Sequence, residues 1–147
     1  RLNFCLALRL IVNLYKQFKG KIVLIEMLKG KIHRATVTEA NLDYVGSLTL
    51  DEDLMDAAGL KEYEKIQVLD LTNGSRIETY LIKGNRSTGQ ECINGAAAHL
   101  IHSGDLVIIA SYCQLSHEEA MNHQPQIVHV NERNKILSEN REECVLI

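Results

Sequence analysis

The sequence predicts a mainly β protein, a compact barrel with short helices inserted between its strands. Three observations predict it. Short apolar runs recur between turn residues, the helical signals among them are brief, and no sustained strand–helix–strand period marks a doubly wound sheet. A length of 147 residues sets one domain with room for a real core. A composition of 46% hydrophobic and 24% charged residues is that of a globular chain, not a disordered one.

Residues 1–22 stand apart from the pattern that follows. Arg1 to Tyr15 is apolar-rich, but Arg9 and Asn13 interrupt it, so it is too short and too polar to span a bilayer. No small-residue cleavage site makes it a signal peptide. It reads as an N-terminal extension outside the fold, a loose amphipathic helix or disordered tail, with the functional start near Val23 or Met27. The catalytic domain is expected over 23–140, with 141–147 as a tail.

Leu28 to Val37 mixes apolar and basic side chains in a strand-like way. Thr38 to Leu42 reads as a short helical turn capped by Thr38. Leu42 to Leu50 is a second extended segment, with Leu48 and Leu50 on one face. Asp51 caps a short helix through Ala58, and Gly59 ends it in the left-handed conformation. Lys65 to Leu71 alternates as a strand, and Asn73-Gly74 is the strongest hairpin signal in the chain. Arg76 to Ile82 is the returning strand, and 83–89 is an exposed loop. Glu91 to Asn94 leads into Gly95-Ala96-Ala97-Ala98-His99, a tight backbone stretch that opens a helical turn. Leu106 to Tyr112 is a buried strand by its unbroken apolar run. Ser116 and Glu119 form a capping box for a helix that Pro125 ends, and Ile127 to Val130 is the last strand.

A net charge of −3 gives no reason to expect nucleic acid or an anionic membrane as partner. An anionic substrate would need a local basic cluster. Cys5, Cys92, Cys113 and Cys144 show no paired spacing and read as reduced thiols in a cytoplasmic protein. The histidines at 99 and 102, and at 117, 123 and 129, lack partners at zinc-site spacing, so no metal is expected.

The chemistry centres on the Gly46–Ser47 bond within Tyr44-Val45-Gly46-Ser47. A serine hydroxyl can attack the carbonyl before it, moving the acyl group from nitrogen to oxygen. Elimination from the resulting ester leaves a dehydroalanine that hydrolyses to a pyruvoyl group. Glycine suits the preceding position, since it lacks Cβ and tolerates strained dihedrals. A Gly-Ser pair alone more often marks an ordinary turn.

That pair lies in an ordered set: Lys31-Ile32-His33-Arg34-Ala35, Tyr44-Val45-Gly46-Ser47, Asp56-Ala57-Ala58-Gly59, Thr72-Asn73-Gly74, Arg76 with Thr79-Tyr80, Asn94-Gly95-Ala96-Ala97-Ala98-His99 and Gly104-Asp105. In order and spacing, from about Met27 to about Ile136, the set resembles the pyruvoyl-dependent aspartate 1-decarboxylases. The resemblance implies a double-psi β-barrel, assembled as a homotetramer with active sites between neighbouring subunits. It implies self-cleavage between Gly46 and Ser47, and a pyruvoyl cofactor made from Ser47. That group would form a Schiff base with L-aspartate and yield β-alanine and carbon dioxide for pantothenate synthesis. Whether cleavage is spontaneous or needs a maturation partner is left open.

The same resemblance assigns roles to individual residues. Tyr80 is the expected proton donor; a phenol of ordinary pKa, about 10, stays protonated near neutrality. Arg76 and Lys31 are expected to bind the two substrate carboxylates, arginine through paired hydrogen bonds. Thr79 would stabilise the ester stage, and Asn94, Gly95, Ala96 and Ala97 would let substrate approach main-chain N–H groups closely. His33 falls near the site with its role open. Strand alternation puts Arg76, Glu78 and Tyr80 on one face and Thr79 on the other, with Arg76 and Tyr80 about 13 Å apart. Either a bulge re-aims a side chain, or these residues serve sites in two subunits. The extension at 1–22 and the bulkier Leu48-Thr49-Leu50 depart from the family pattern. Two other readings remain: a pyruvoyl decarboxylase of another acidic amino acid, and a barrel never processed and not an enzyme.

Overall fold

The computed structural model describes residues 23–45 and 47–139. The expectations for 1–22, for Gly46 and for the tail at 141–147 lie outside the described residues. Among the described residues nine strands run in chain order: β1 Leu24–Thr36, β2 Glu39–Asn41, β3 Leu48–Asp51, β4 Lys65–Asp70, β5 Arg76–Gly84, β6 Glu91–Asn94, β7 Leu106–Ser116, β8 Gln126–Val130 and β9 Ile136–Glu139. Two short helices, α1 Glu52–Ala57 and α2 His117–Met121, and a 3-10 turn, Gly95–His99, sit between them. The mainly β class with short inserted helices is as the sequence predicts.

The strands form one mixed sheet in the order β2-β6-β3-β5-β4-β7-β1-β8-β9. Parallel pairings at β1·β8, β2·β6 and β3·β5 interrupt the antiparallel ones, so consecutive strands are seldom neighbours. The ladder is not closed, and side chains draw its margins together. Asn134, in the turn between β8 and β9, donates from Nδ2 to the carbonyls of Thr36 and Gly89, each at 2.8 Å. Its Oδ1 accepts from the Thr36 N–H, so one buried amide joins β1 to the residues before β6. The curled sheet encloses Ile32, Leu48, Leu50, Ile66, Leu81 and Ile109, all buried to 1% exposure or less. Burial of such side chains, about 2 kcal/mol each, is the main drive for the curl.

Several local expectations hold for the reasons given. Asp51 caps α1 by accepting from the Asp53 N–H at 2.9 Å, and Gly59 takes φ 65° beyond the helix end. The Ser116 capping box is complete at α2, which ends at Met121, before Pro125. Others need correction. Thr38–Leu42 is not a helical turn: Glu39–Asn41 is strand β2, parallel to β6. The Thr38 hydroxyl exchanges hydrogen bonds with the Glu91 main chain instead of capping a helix. Leu42–Val45 forms an exposed turn, and the strand itself begins at Leu48. Strand β5 continues through Lys83 and Gly84, and β9 carries no clear sequence signal.

Candidate active site

Ser47 stands at the head of β3, buried to 7% exposure. Two neighbouring strands fix it. On one side β3 is antiparallel to β6, with Leu48 opposite Ile93, and the Asn94 N–H donates to the Ser47 carbonyl at 2.8 Å. On the other side β3 is parallel to β5 only from Leu81 onward. One residue earlier, the Tyr80 N–H donates to the Ser47 hydroxyl oxygen at 3.3 Å. The edge of β5 from Arg76 to Tyr80 therefore pairs with β4 alone, and its other side borders a cleft.

The cleft is about 390 Å³ and is lined by Ser47, Ile77, Glu78, Thr79, Tyr80, Asn94, Ala96, Ala97 and Leu100. Gly95, at φ 61°, turns the chain out of β6 into the 3-10 helix, a conformation that a side chain would disfavour. Ala96 and Ala97 follow and keep that wall low. Opposite, Asn73 ties the β4–β5 hairpin to the same wall, donating to Asp70 Oδ2 at 2.9 Å and to the Leu100 carbonyl at 2.8 Å.

The structure thus brings Ser47, Thr79, Tyr80, Asn94, Ala96 and Ala97 around one space. Arg76 and Lys31 are not part of its lining. Arg76 is exposed at the far end of β5, and Lys31 lies on β1 between Ala110 of β7 and Ile127 of β8. The β4·β5 register runs without a break from Lys65–Tyr80 to Leu69–Arg76, so no bulge re-aims Arg76 or Thr79. The exposure of β5 alternates as expected, with Arg76, Glu78 and Tyr80 outward and Thr79 half-buried.

Glu78 lines the cleft, although the sequence argument used it only to mark a strand face. Its hydrogen bond with Lys65, at 2.8 Å, and another from Gln67 hold its carboxyl below the usual range. The charge it brings is therefore already countered by Lys65. Thr49 and Cys92, given no part in the site by the sequence reading, face each other across β3 and β6 and bond the Asn94 side chain. Their signal was the pattern Ser-x-Thr facing Cys-x-Asn, polar positions alternating with Leu48, Leu50 and Ile93.

His33 packs edge-on against His129, with ring centroids 5.3 Å apart. Burial first, then the charge of Lys31, lowers its pKa to about 4, so the ring is neutral near neutrality. Its Nδ1 is buried without a hydrogen-bond partner among the described residues. No group of three or more His, Cys, Asp or Glu side chains gathers as a metal site among those residues. No helix among them is long and apolar enough to cross a membrane.

A small, mainly β protein with a substrate-sized cleft built around one buried serine is the class that fold and site define. The model of the aspartate decarboxylase family matches residues 23–137, and the chain belongs to that family. It is 60% identical to the aspartate 1-decarboxylase of Caldicellulosiruptor saccharolyticus over 122 residues, 82% of this chain and 95% of that one. With the aspartate 1-decarboxylase of Acetivibrio thermocellus the identity is 60% over 119 residues, covering 81% and 94%. With that of Bacillus subtilis it is 56% over 110 residues, covering 75% and 87%. The solved structure of a computationally designed protein aligns at a TM-score of 0.37 and 16% identity, over 59% of this chain and 99% of its own. That likeness is too remote to bear on the fold.

Proposed function

We propose that this chain is an aspartate 1-decarboxylase, converting L-aspartate to β-alanine and carbon dioxide, with a pyruvoyl group made from its own Ser47. The observation that carries the reading is the setting of Ser47. It is a buried serine whose hydroxyl oxygen receives, among the described residues, only the Tyr80 N–H and whose carbonyl is held by Asn94, at the wall of a cleft that fits a small amino acid. The residues present suit the group. Among the described residues the hydroxyl has no side-chain partner to release, and the surrounding Thr79, Ala96 and Ala97 leave room beside it. A pyruvoyl ketone supplies what ordinary side chains lack, an electron sink for the pair left behind when carbon dioxide departs.

The chain's own groups do the rest. Thr79, which lines the same cleft as Ser47, stabilises the ester formed when Ser47 Oγ attacks the carbonyl before it. Tyr80 carries a phenol to the mouth of the cleft, where it returns a proton to carbon after carbon dioxide leaves. Gly95, Ala96 and Ala97 expose main-chain N–H groups to an anionic substrate, and Asn94 fixes the Ser47 carbonyl. Lys31 and Arg76 bind the substrate's carboxylates from a neighbouring copy in a homotetramer. The unbulged β5, which carries Arg76 away from its own cleft, supports that arrangement.

Intact-mass spectrometry before and after warm incubation tests the reading. The expected result is two fragments split between Gly46 and Ser47, the second beginning with a ketone in place of an amine. A Ser47→Ala protein should remain whole and release no β-alanine from aspartate. A Ser47→Ala protein that still makes β-alanine would end the proposal.

A further inference from the structure

Strands β3 and β6 present two faces. Leu48, Leu50 and Ile93 point into the core, while Ser47, Thr49, Cys92 and Asn94 alternate with them on the other side, Thr49 directly opposite Cys92. Asn94 is 2% exposed, and both ends of its side chain are engaged. Its Nδ2 donates to Thr49 Oγ1 at 3.0 Å, and its Oδ1 accepts from the Cys92 thiol at 3.0 Å. Burial, with the charge of Glu39 second, pushes the Cys92 thiol up, so it remains an S–H donor. Each end of the Asn94 amide is therefore held within the chain. What Asn94 offers the cleft is its backbone N–H on the Ser47 carbonyl.

An asparagine at this place has another option. Asn94 is the N-cap of the 3-10 turn, a position where its side chain ordinarily bonds the first free N–H groups of the helix. Here it makes no such cap bond, and the adjoining Gly95 is a ready hinge. Something must hold the amide away from the cap, and the bonds to Thr49 and Cys92 do so.

We propose that Thr49 and Cys92 are positioning residues: by gripping the Asn94 side chain from both ends, they keep its backbone N–H on the Ser47 carbonyl oxygen. The catalytic consequence rests on the reading of Ser47 given above. The Ser47 carbonyl carbon adjoins the atom that becomes the ketone. Its orientation therefore decides whether the two carbonyls stay aligned to share developing charge.

Hydrogen exchange at the Asn94 amide, on the full chain, tests the grip without reference to activity. Thr49→Val keeps the shape and removes the acceptor, and it should raise Asn94 exchange about tenfold. Core amides such as Ile109 should be unchanged, and Thr49→Ser should restore protection. Cys92→Ala should act in the same direction and serves if Thr49→Val does not fold. In steady state, Thr49→Val should lower kcat with KM for aspartate nearly unchanged. Unaltered Asn94 exchange in both variants, or an equal rise at Ile109, would overturn the proposal. A wild-type chain that stays uncleaved would overturn the reading of Ser47 instead, and the exchange result would stand separately.

Discussion

At the scale of single residues, Glu91 departs furthest from ordinary practice. It is fully buried on β6, beside Leu50 on the neighbouring strand, and neither carboxyl oxygen has a hydrogen-bond partner among the described residues. Charged groups on the flanking strands are occupied elsewhere. Asp51 of β3 accepts from the Gly89 N–H, Glu39 of β2 is exposed on the other side of the ladder, and Lys83 of β5, one strand beyond β3, pairs with Glu52. Burial alone pushes the Glu91 carboxyl from 4.5 up to about 8. Between those values the folded chain holds a proton that the unfolded chain has lost. Stability therefore falls as pH rises through that window, by about 1.4 kcal/mol per pH unit, and the loss is absent below it. Glu91→Leu should raise Tm by more than about 10 °C at pH 8 and by much less at pH 5. An identical shift at both pH values would mean that the carboxyl is not the cause. Nothing in the sequence flagged Glu91, because its neighbours in the chain, Gln90 and Cys92, give no hint of which face is inward. The place of Tyr80 at the cleft was legible by contrast, and if it is the proton donor proposed above, Tyr80→Phe should cleave normally while losing at least tenfold in kcat, read by comparing fragment masses with β-alanine release.

Elements were legible where their signals were local. The Asn73-Gly74 hairpin, the Asp51 cap and the Ser116 capping box each follow from a few adjacent residues, and each formed as expected. Strand β2 was misread because Thr38 looks like a cap until its partner, Glu91, is known to lie 53 residues away. The same long range hides the second role of Asp51. Besides capping α1, it accepts from the Gly89 N–H at 2.7 Å and the Ser87 N–H at 3.1 Å, pinning the loop before β6. Asp51→Ala orphans three main-chain donors at once and should destabilise the fold by about 3 kcal/mol in urea unfolding. A cost below about 1 kcal/mol would mean that the helix cap is the residue's only contribution.

On the scale of the whole molecule, the class and the cleft were readable, but the fate of Arg76 was not. Alternation along β5 posed the difficulty, and only the unbroken register with β4 removed the bulge as its answer. A site shared between copies makes a clear prediction. Ser47→Ala and Arg76→Ala proteins, each inactive alone, should regain β-alanine production when unfolded together and reassembled. A mixture that stays inactive, though the assembly forms, would return Arg76 to the cleft of its own chain.

The place of β1 in the sheet has a consequence for the physical chemistry of the matured protein. This strand is laddered on both sides, to β7 and to β8, and it precedes the bond proposed to break. After scission the shorter piece remains threaded through the middle of its partner, so a native measurement of size or shape registers a single particle. Refolding differs. A barrel that one chain could build alone must then be built from two, so the matured protein's midpoint of denaturation should depend on concentration more steeply than the intact chain's.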